Sequence, residues 1–465
     1  MSEAQPSASE AVPAFTVLQG LFATLPDLPP FHLVQIRARE LDLVTACDGG
    51  DYDLLLPVHE HPEFFRRLMH LAQQNNVSFT LDQTNPVKCR ITLHAPQKTA
   101  DIVVEVWSHL EVRDPHTSTE RTISWAVLAP LVVQNASGWH LPQPLEALYY
   151  LSHLATRKKS LNSPTVQQRL EHYRVTTTAP EILELLRNLA ANKNISAAAS
   201  AANRHLIARG LLQPLTGFSA RCAAWWKAET EHRIRQRRRS HTRGGVFAFT
   251  GPDGVGKTTV ITALCADLLD KAVPYRFKSL FRHNPLYNVL YALRYQQEAK
   301  AYGEKSGGNG ESGKNGKVVK LEKNIFDELQ APALFHLARL GHPWLKVRAW
   351  LGAYRCCDRY YHELLFANLR RSGAQPQLRA DWPVCAKKIP LPAWHLQLDA
   401  ADAVILARKQ ELSPSALACY REGLFTLHLA LKTPYYTYLN TGTSLDEVRA
   451  TLRRAGAPLG LRFRP

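Results

Sequence analysis

Eight cysteines are spread over 465 residues without one C-x-x-C pair, and only Cys356 and Cys357 stand side by side. That spacing argues against a zinc framework or a disulfide scaffold, and reduced thiols in a cytoplasmic protein are the simplest account. The chain has no apolar run long enough to span a bilayer. Its opening, MSEAQPSASEAVPAF, carries neither a basic segment nor an apolar core, so no secretory signal is expected. The aromatic-basic interleaving of a recognised nucleic-acid-binding module is missing too. Negative charge is in short supply: 40 Asp plus Glu stand against 57 Lys plus Arg, a net +17. Such an excess favours an anionic partner, whether nucleotide, nucleic acid, phosphorylated glycan or membrane surface, against the plainer alternative of a solvated basic face.

What is present reads as several domains. Hydrophobic residues make up 45% of the chain, enough for real cores. Residues 1–30 read as a flexible, polar lead-in. From 31 to 140, strand-like runs (FHLVQIRARELDLV, DYDLLLP, CRITLHA, ADIVVEVWSHLEV) alternate with the helical spacing of HPEFFRRLMHLAQQ, the pattern of an α/β or α+β domain. Residues 141–243 hold four helical segments broken by prolines, then a basic linker with six arginines between Arg233 and Arg243. That cluster reads as a charged linker helix or as a docking surface for something acidic. From 244 to 465 short strands (VFAFTG, RCCDRYY, WHLQLDA, YYTYLNT) alternate with helices, which argues for a parallel sheet. Ser444 and Glu447 form a capping-box signature at the start of the last helix. The glycine-rich stretch 302–317 reads as a loop.

The chemistry concentrates at Gly251-Pro-Asp-Gly-Val-Gly-Lys257-Thr258, which satisfies G-x-x-x-x-G-K-[ST] between an apolar strand and a helix. Gly251, Gly254 and Gly256 let backbone N–H groups turn inward around a polyphosphate, and the following helix N-terminus favours anions. Lys257 can reach the β- and γ-phosphates, Thr258 can ligate Mg²⁺, and Asp253 and Thr259 complete the nucleotide-binding set.

FTGPDGVGKTT, then CCDRYYHELL, then LDAADAVILARKQELSPSALACYREG, in that order, resemble the thymidylate kinase-like group of P-loop kinases from about Gly244 to the C-terminus. The resemblance implies a doubly wound parallel sheet, ATP with Mg²⁺, and a phosphoryl acceptor beside the loop. It also implies that Asp358 lies at the metal and phosphate end of the site and that Arg359 holds the acceptor's anionic group. Asp253 would face the acceptor, and Arg408 and Lys409 would belong to a lid over ATP. The acidic-Arg-Pro-Gly-Gly element that thymidylate kinases carry after the loop is absent from RFKSLFRHNPLYNVLYALRYQ, which turns the expectation away from thymidylate. It fits a divergent group with an extra N-terminal domain better.

That N-terminal part has its own resemblance. Asp51 and Asp53, two apart on one strand face, with Glu105 on another strand, are similar to the three metal-binding carboxylates of nucleotidyltransferase-fold enzymes. The Gly-Ser usual before the first Asp is missing, so an inactive or substrate-recognising domain is expected rather than an active transferase. The expected whole is therefore an α/β protein: a P-loop doubly wound sheet, a nucleotidyltransferase-like domain and a helical middle segment. The leading function is transfer of the ATP γ-phosphate to a sugar-containing small molecule, glycan or nucleotide. The alternatives are a kinase or nucleotidyltransferase acting at nucleic-acid ends and a non-catalytic ATP-binding regulator. A homodimer is left open.

Overall fold

The computed structural model describes residues 8–22, 34–36, 51–113, 120–214, 245–276, 353–409 and 412–464, with short breaks at 86, 95–100, 136–137, 157–159 and 368–374. It also describes isolated residues between 222 and 230 and between 335 and 347. The arginine cluster 233–243, the glycine-rich stretch 302–317 and most of 324–352 lie outside the described residues. The chain divides into two compact units, Met1–Asn75 with Asp82–Arg239, and Asn76–Leu81 with Ser240–Pro465.

The first unit contains α1 (Ala8–Phe22), β1 (Asp51–Leu55) and α2 (His61–Gln74). Past β2 (Ser78–Asp82), most of which belongs to the second unit, it continues with β3 (Lys88–His94) and β4 (Ile102–Trp107). β1 runs parallel to β4, and β3 runs antiparallel to β4. Every residue of β4, Ile-Val-Val-Glu-Val-Trp, is buried, as expected of a strand covered on both faces. Four helices follow, α3 (Gln143–Thr156), α4 (Pro164–Thr176), α5 (Pro180–Asn192) and α6 (Ile195–Ala208). Their apolar faces share one core through Leu148, Leu151, Leu186 and Leu206. The buried Tyr173 hydroxyl donates to Glu146 at 2.8 Å, so neither polar group is left bare inside that core.

At the N-terminus the structure differs from the expected lead-in, because Ala8–Phe22 is a helix despite Pro13. Ala14, Val17, Leu18 and Leu21 recur at three- and four-residue spacing and are buried, and Gly20 lies against Leu71 of α2. Tertiary packing of that stripe outweighs the polar, proline-containing composition that made the segment read as coil.

The second unit is built on β5 (Val246–Thr250), α7 (Lys257–Asp267), β6 (Ala272–Arg276), β7 (Tyr354–Asp358), β8 (Trp394–Asp399), α8 (Asp402–Arg408), α9 (Pro414–Leu431), β9 (Tyr435–Asn440) and α10 (Leu445–Gly456). The strand order is β6-β7-β5-β8-β9-β2, and the first five strands are mutually parallel. Alternation along β5 explains why helices cover both faces. Phe247 and Phe249 enter a core with Val260 and Ile261 of α7 and Leu452 of α10, while Val246 and Ala248 enter another with Tyr420 and Leu424 of α9. The chain leaves β5 toward the β6 edge, returns through β7, then crosses to β8 on the other side of β5. The carboxyl end of β5 is thus a point where strand order reverses, the usual place for a ligand in an open parallel sheet.

β2 was not legible as part of this unit. The Thr80 hydroxyl lies 3.0 Å from that of Thr437, Phe79 stacks on Tyr438, and Asn440 donates to the Asn76 carbonyl at 2.8 Å. The capping box on α10 is present with both of its hydrogen bonds.

Candidate active site

The loop between β5 and α7 is set by its glycines. Gly251 has φ +139° against the backbone of β8, where a Cβ would stand 2.3 Å from the Leu398 carbonyl oxygen. No other residue type fits there without moving the strand. Gly256 caps α7 in the left-handed region. From the far side the buried Thr441 hydroxyl lies 2.7 Å from the Val255 carbonyl and 3.0 Å from that of Asp399, tying the loop to the end of β9.

Lys257 is buried and folds back into this loop. Its Nζ donates to the carbonyls of Gly251 (2.7 Å) and Pro252 (2.9 Å) and lies 3.3 Å from Asp253 Oδ1. Thr258 and Thr259 are exposed in the first turn of α7.

One strand over, β7 delivers the Asp358-Arg359 pair. Asp358 pairs in register with Phe249, and the Arg359 N–H donates to the Phe249 carbonyl at 2.9 Å. Arg359 holds φ +71°, a strained conformation for a side chain of its size, as often seen where a site fixes a residue. Its guanidinium bridges two carboxylates: Nη2 donates to Asp253 at 2.5 Å and Nη1 to Glu363. Glu363, in the turn Tyr361–Leu365, is buried, and Tyr420 of α9 lies against it. Burial lifts the Glu363 carboxyl above the usual range, offset in part by Arg359 and Lys257. For Arg359, burial works against the charge, but Glu363 and Asp253 outweigh it and hold the guanidinium charged.

The segment after β8 reaches the same loop. Arg408 Nη1 lies 3.4 Å from the Gly254 carbonyl, and Lys409 Nζ 3.6 Å from Asp253. A buried network fixes the turn that carries them. Arg421 of α9 donates to Asp399 (2.7 Å), to Asp402 and to the Ala400 carbonyl (2.7 Å), and the Tyr438 hydroxyl donates to Asp399 at 2.7 Å.

The structure therefore gathers Gly251, Asp253, Gly254, Gly256, Lys257, Arg359, Arg408 and Lys409 around one loop, with Asp358 at the end of the neighbouring strand. Sequence reasoning missed Glu363, Thr441 and Arg421. Glu363 stood four residues past the Arg of the D-R-Y element and could have been flagged; nothing local marked the other two. For a cation, the Asp358 Oδ1 is buried and has no hydrogen-bond donor among the described residues, the kind of orphaned oxygen a metal ion satisfies. For a polyphosphate, the fit rests on the glycine-shaped loop with Lys257 at the start of α7.

The carboxylates of the first unit converge less. Asp53 and Glu105 are register partners on β1 and β4 and both are buried. Glu105 is ion-paired to Lys88 at 2.5 Å, and Asp53 accepts from the Trp107 indole at 3.3 Å. Asp51 pairs with Val103 through its strand, and Asp101 meets His94 at 3.0 Å. Among the described residues no group of three His, Cys, Asp or Glu side chains is placed to hold a metal ion. No described helix is long and apolar enough to cross a membrane.

No protein-family model and no curated protein sequence matches the chain. Among solved structures, a thymidylate kinase from Candida albicans is similar at 15% identity and a TM-score of 0.27, covering 48% of this chain and 99% of its own.

Proposed function

We propose that the second unit is an ATP-dependent phosphotransferase that moves the γ-phosphate of Mg·ATP to an acceptor beside the loop. One observation carries the reading: a glycine-shaped loop at the switch point of a parallel sheet, with buried Lys257 at the start of α7 and Asp253, Arg359, Arg408 and Lys409 around it. Phosphoryl transfer needs positioned positive charge more than covalent chemistry, and this is a loop with such charge on three sides. Thr258 and Asp358 are the residues that would hold Mg²⁺, which would supply positive charge against the developing charge of the phosphates. Lys257 exchanges its loop carbonyls for phosphate oxygens. Arg408 and Lys409 close from the donor side, and Asp253 and Arg359 border the acceptor, which is a sugar-containing small molecule, glycan or nucleotide.

In the first unit we read a nucleotidyltransferase-like domain with weak or no nucleotidyl transfer. The Lys88–Glu105 ion pair supports this, because it occupies a carboxylate that two metal ions would need.

The test is a transfer assay from γ-labelled ATP to nucleotides, sugars and lipid-linked glycans, run beside Lys257→Ala. Loss of transfer by several orders of magnitude with folding intact is expected. Wild-type rates in Lys257→Ala would refute the assignment.

A further inference from the structure

The guanidinium beside the loop is already taken by carboxylates. Arg359, the cation that the resemblance would give to an acceptor's anionic group, is held at both ends of its fork, by Asp253 at 2.5 Å and by Glu363. Glu363 has a side chain only 5% exposed, on a turn hydrogen-bonded through its own N–H to the Tyr360 carbonyl, so it is built into the wall. Arg359 is fixed from behind by its N–H bond to Phe249 and by a backbone conformation that few side chains adopt. Among the described residues Lys257 and Lys409 also lie near Asp253, and on the kinase reading they stand on the donor side, where a bound polyphosphate would draw Lys257 away. Among the described residues, the guanidinium beside the loop is thus already paired with two carboxylates, one of them buried behind it.

A phosphomonoester that took Arg359 would have to break a buried ion pair and leave Glu363 without its cation, which is costly. A hydroxyl group meets neither penalty: it donates to a carboxylate and accepts from the guanidinium.

Resting on the kinase reading above, we propose that the acceptor is a neutral polyhydroxylated molecule, a sugar or the sugar end of a glycan, with Asp253 and the Glu363-fixed Arg359 as the specificity-determining pair that rejects nucleoside monophosphates. An acceptor hydroxyl oxygen forms a bond to the γ-phosphorus of the nucleoside triphosphate while the bond from that phosphorus to the β,γ-bridging oxygen breaks. The hydroxyl proton passes to the Asp253 carboxylate, and the nucleoside diphosphate leaves with the bond's electron pair.

The experiment uses the full chain with Mg²⁺. Binding of a fluorescent ATP analogue comes first, and its absence would sink the kinase reading itself. Thymidine monophosphate is then titrated against wild type, Glu363→Gln and Glu363→Asp in the presence of a non-hydrolysable ATP analogue. Transfer from γ-labelled ATP is measured on a panel of free hexoses, methyl glycosides, ribose, glycerol and inositol beside the nucleoside monophosphates. Expected are transfer to a neutral polyol, none to any monophosphate, and at least about tenfold tighter thymidine monophosphate binding in Glu363→Gln, where Arg359 is released from its buried carboxylate, but not in Glu363→Asp. With ATP-analogue binding intact, three results each overturn the proposal: phosphorylation of a monophosphate by wild type, transfer to no polyol, or unchanged thymidine monophosphate affinity in a folded Glu363→Gln.

Discussion

Substituting Gly251 tests the loop more directly than removing a charge does. Gly251→Ala places a methyl group 2.3 Å from the Leu398 carbonyl oxygen, a backbone atom in the middle of the sheet that has no rotamer to change. The φ of +139° lies in a region that is essentially glycine-only, worth about 1–3 kcal/mol of strain. Forced overlap in a packed interior adds about 1–3 kcal/mol. Gly256→Ala is the natural control, because φ is +93° and nothing lies nearer than the Arg408 guanidinium at 4.0 Å. It carries the left-handed penalty of about 1–2 kcal/mol and no overlap. For a unit of this size each kcal/mol moves the melting temperature by about 2–4 °C. Gly251→Ala should therefore melt on the order of 10 °C below wild type and Gly256→Ala about 4 °C below. Differential scanning calorimetry reads both, and a fluorescent ATP analogue should lose affinity for Gly251→Ala, whose loop must shift off β8. Equal melting shifts in the two variants would refute the reasoning, since they would mean that the contact with Leu398 does not set the loop.

Three further outcomes follow from other contacts. Asp399→Ala removes one of two carboxylates from Arg421, whose side chain is 5% exposed, and leaves Asp402 as its partner, so denaturant unfolding should lose less than the roughly 3–5 kcal/mol of a fully orphaned buried charge, and Asp399→Leu with Arg421→Met should recover much of it. His362, His395 and His428 are fully buried, His395 and His428 against Tyr436 and His362 stacked on His395, and burial holds all three imidazoles below their ordinary range, His362 down to about 3. Below about pH 6.5 the unfolded chain binds protons that these sites refuse. Stability that is full above that pH should therefore fall on acidification by up to about 1.4 kcal/mol per pH unit for each histidine. Glu363 and Asp399, whose carboxyls burial raises, act in the opposite sense. The difference between wild type and His428→Phe isolates the histidine part, and identical urea midpoints against pH in the two would refute it. Asp51→Ala with Asp53→Ala should leave ATP turnover nearly intact, and robust nucleotide incorporation from labelled α-phosphate, lost in that variant, would show the first unit to be active.

Local chemistry made much of the second unit legible. The strand and helix on either side of the glycine-rich loop, the β7 strand before Asp358-Arg359 and the capped α10 each follow from a motif, a run of buried strand formers or a cap within a dozen residues, and these elements stand where the sequence placed them. Alternating Val246, Phe247, Ala248 and Phe249 already specified a strand buried on both faces. What the sequence could not supply were pairings between distant residues, because a strand or an ion pair carries no record of its partner. Ser78–Asp82 reads as any short apolar strand, and only packing of Phe79 and Thr80 on Tyr438 and Thr437 assigns most of it to the second unit. Ala8–Phe22 reads as coil until Leu71 and its neighbours cover its apolar stripe. Asp51, Asp53 and Glu105 read as a metal set until Lys88, seventeen residues before Glu105 along the chain, is seen to take that carboxylate. Glu363 is the clearest case: as a letter it is one more acid in a helix-like turn, and only the fold closes it on the same guanidinium as Asp253, 106 residues from Arg359 in sequence. Loop chemistry is local and so was fixed by the order of residues, whereas the charge that an acceptor meets depends on which side chains the sheet brings face to face.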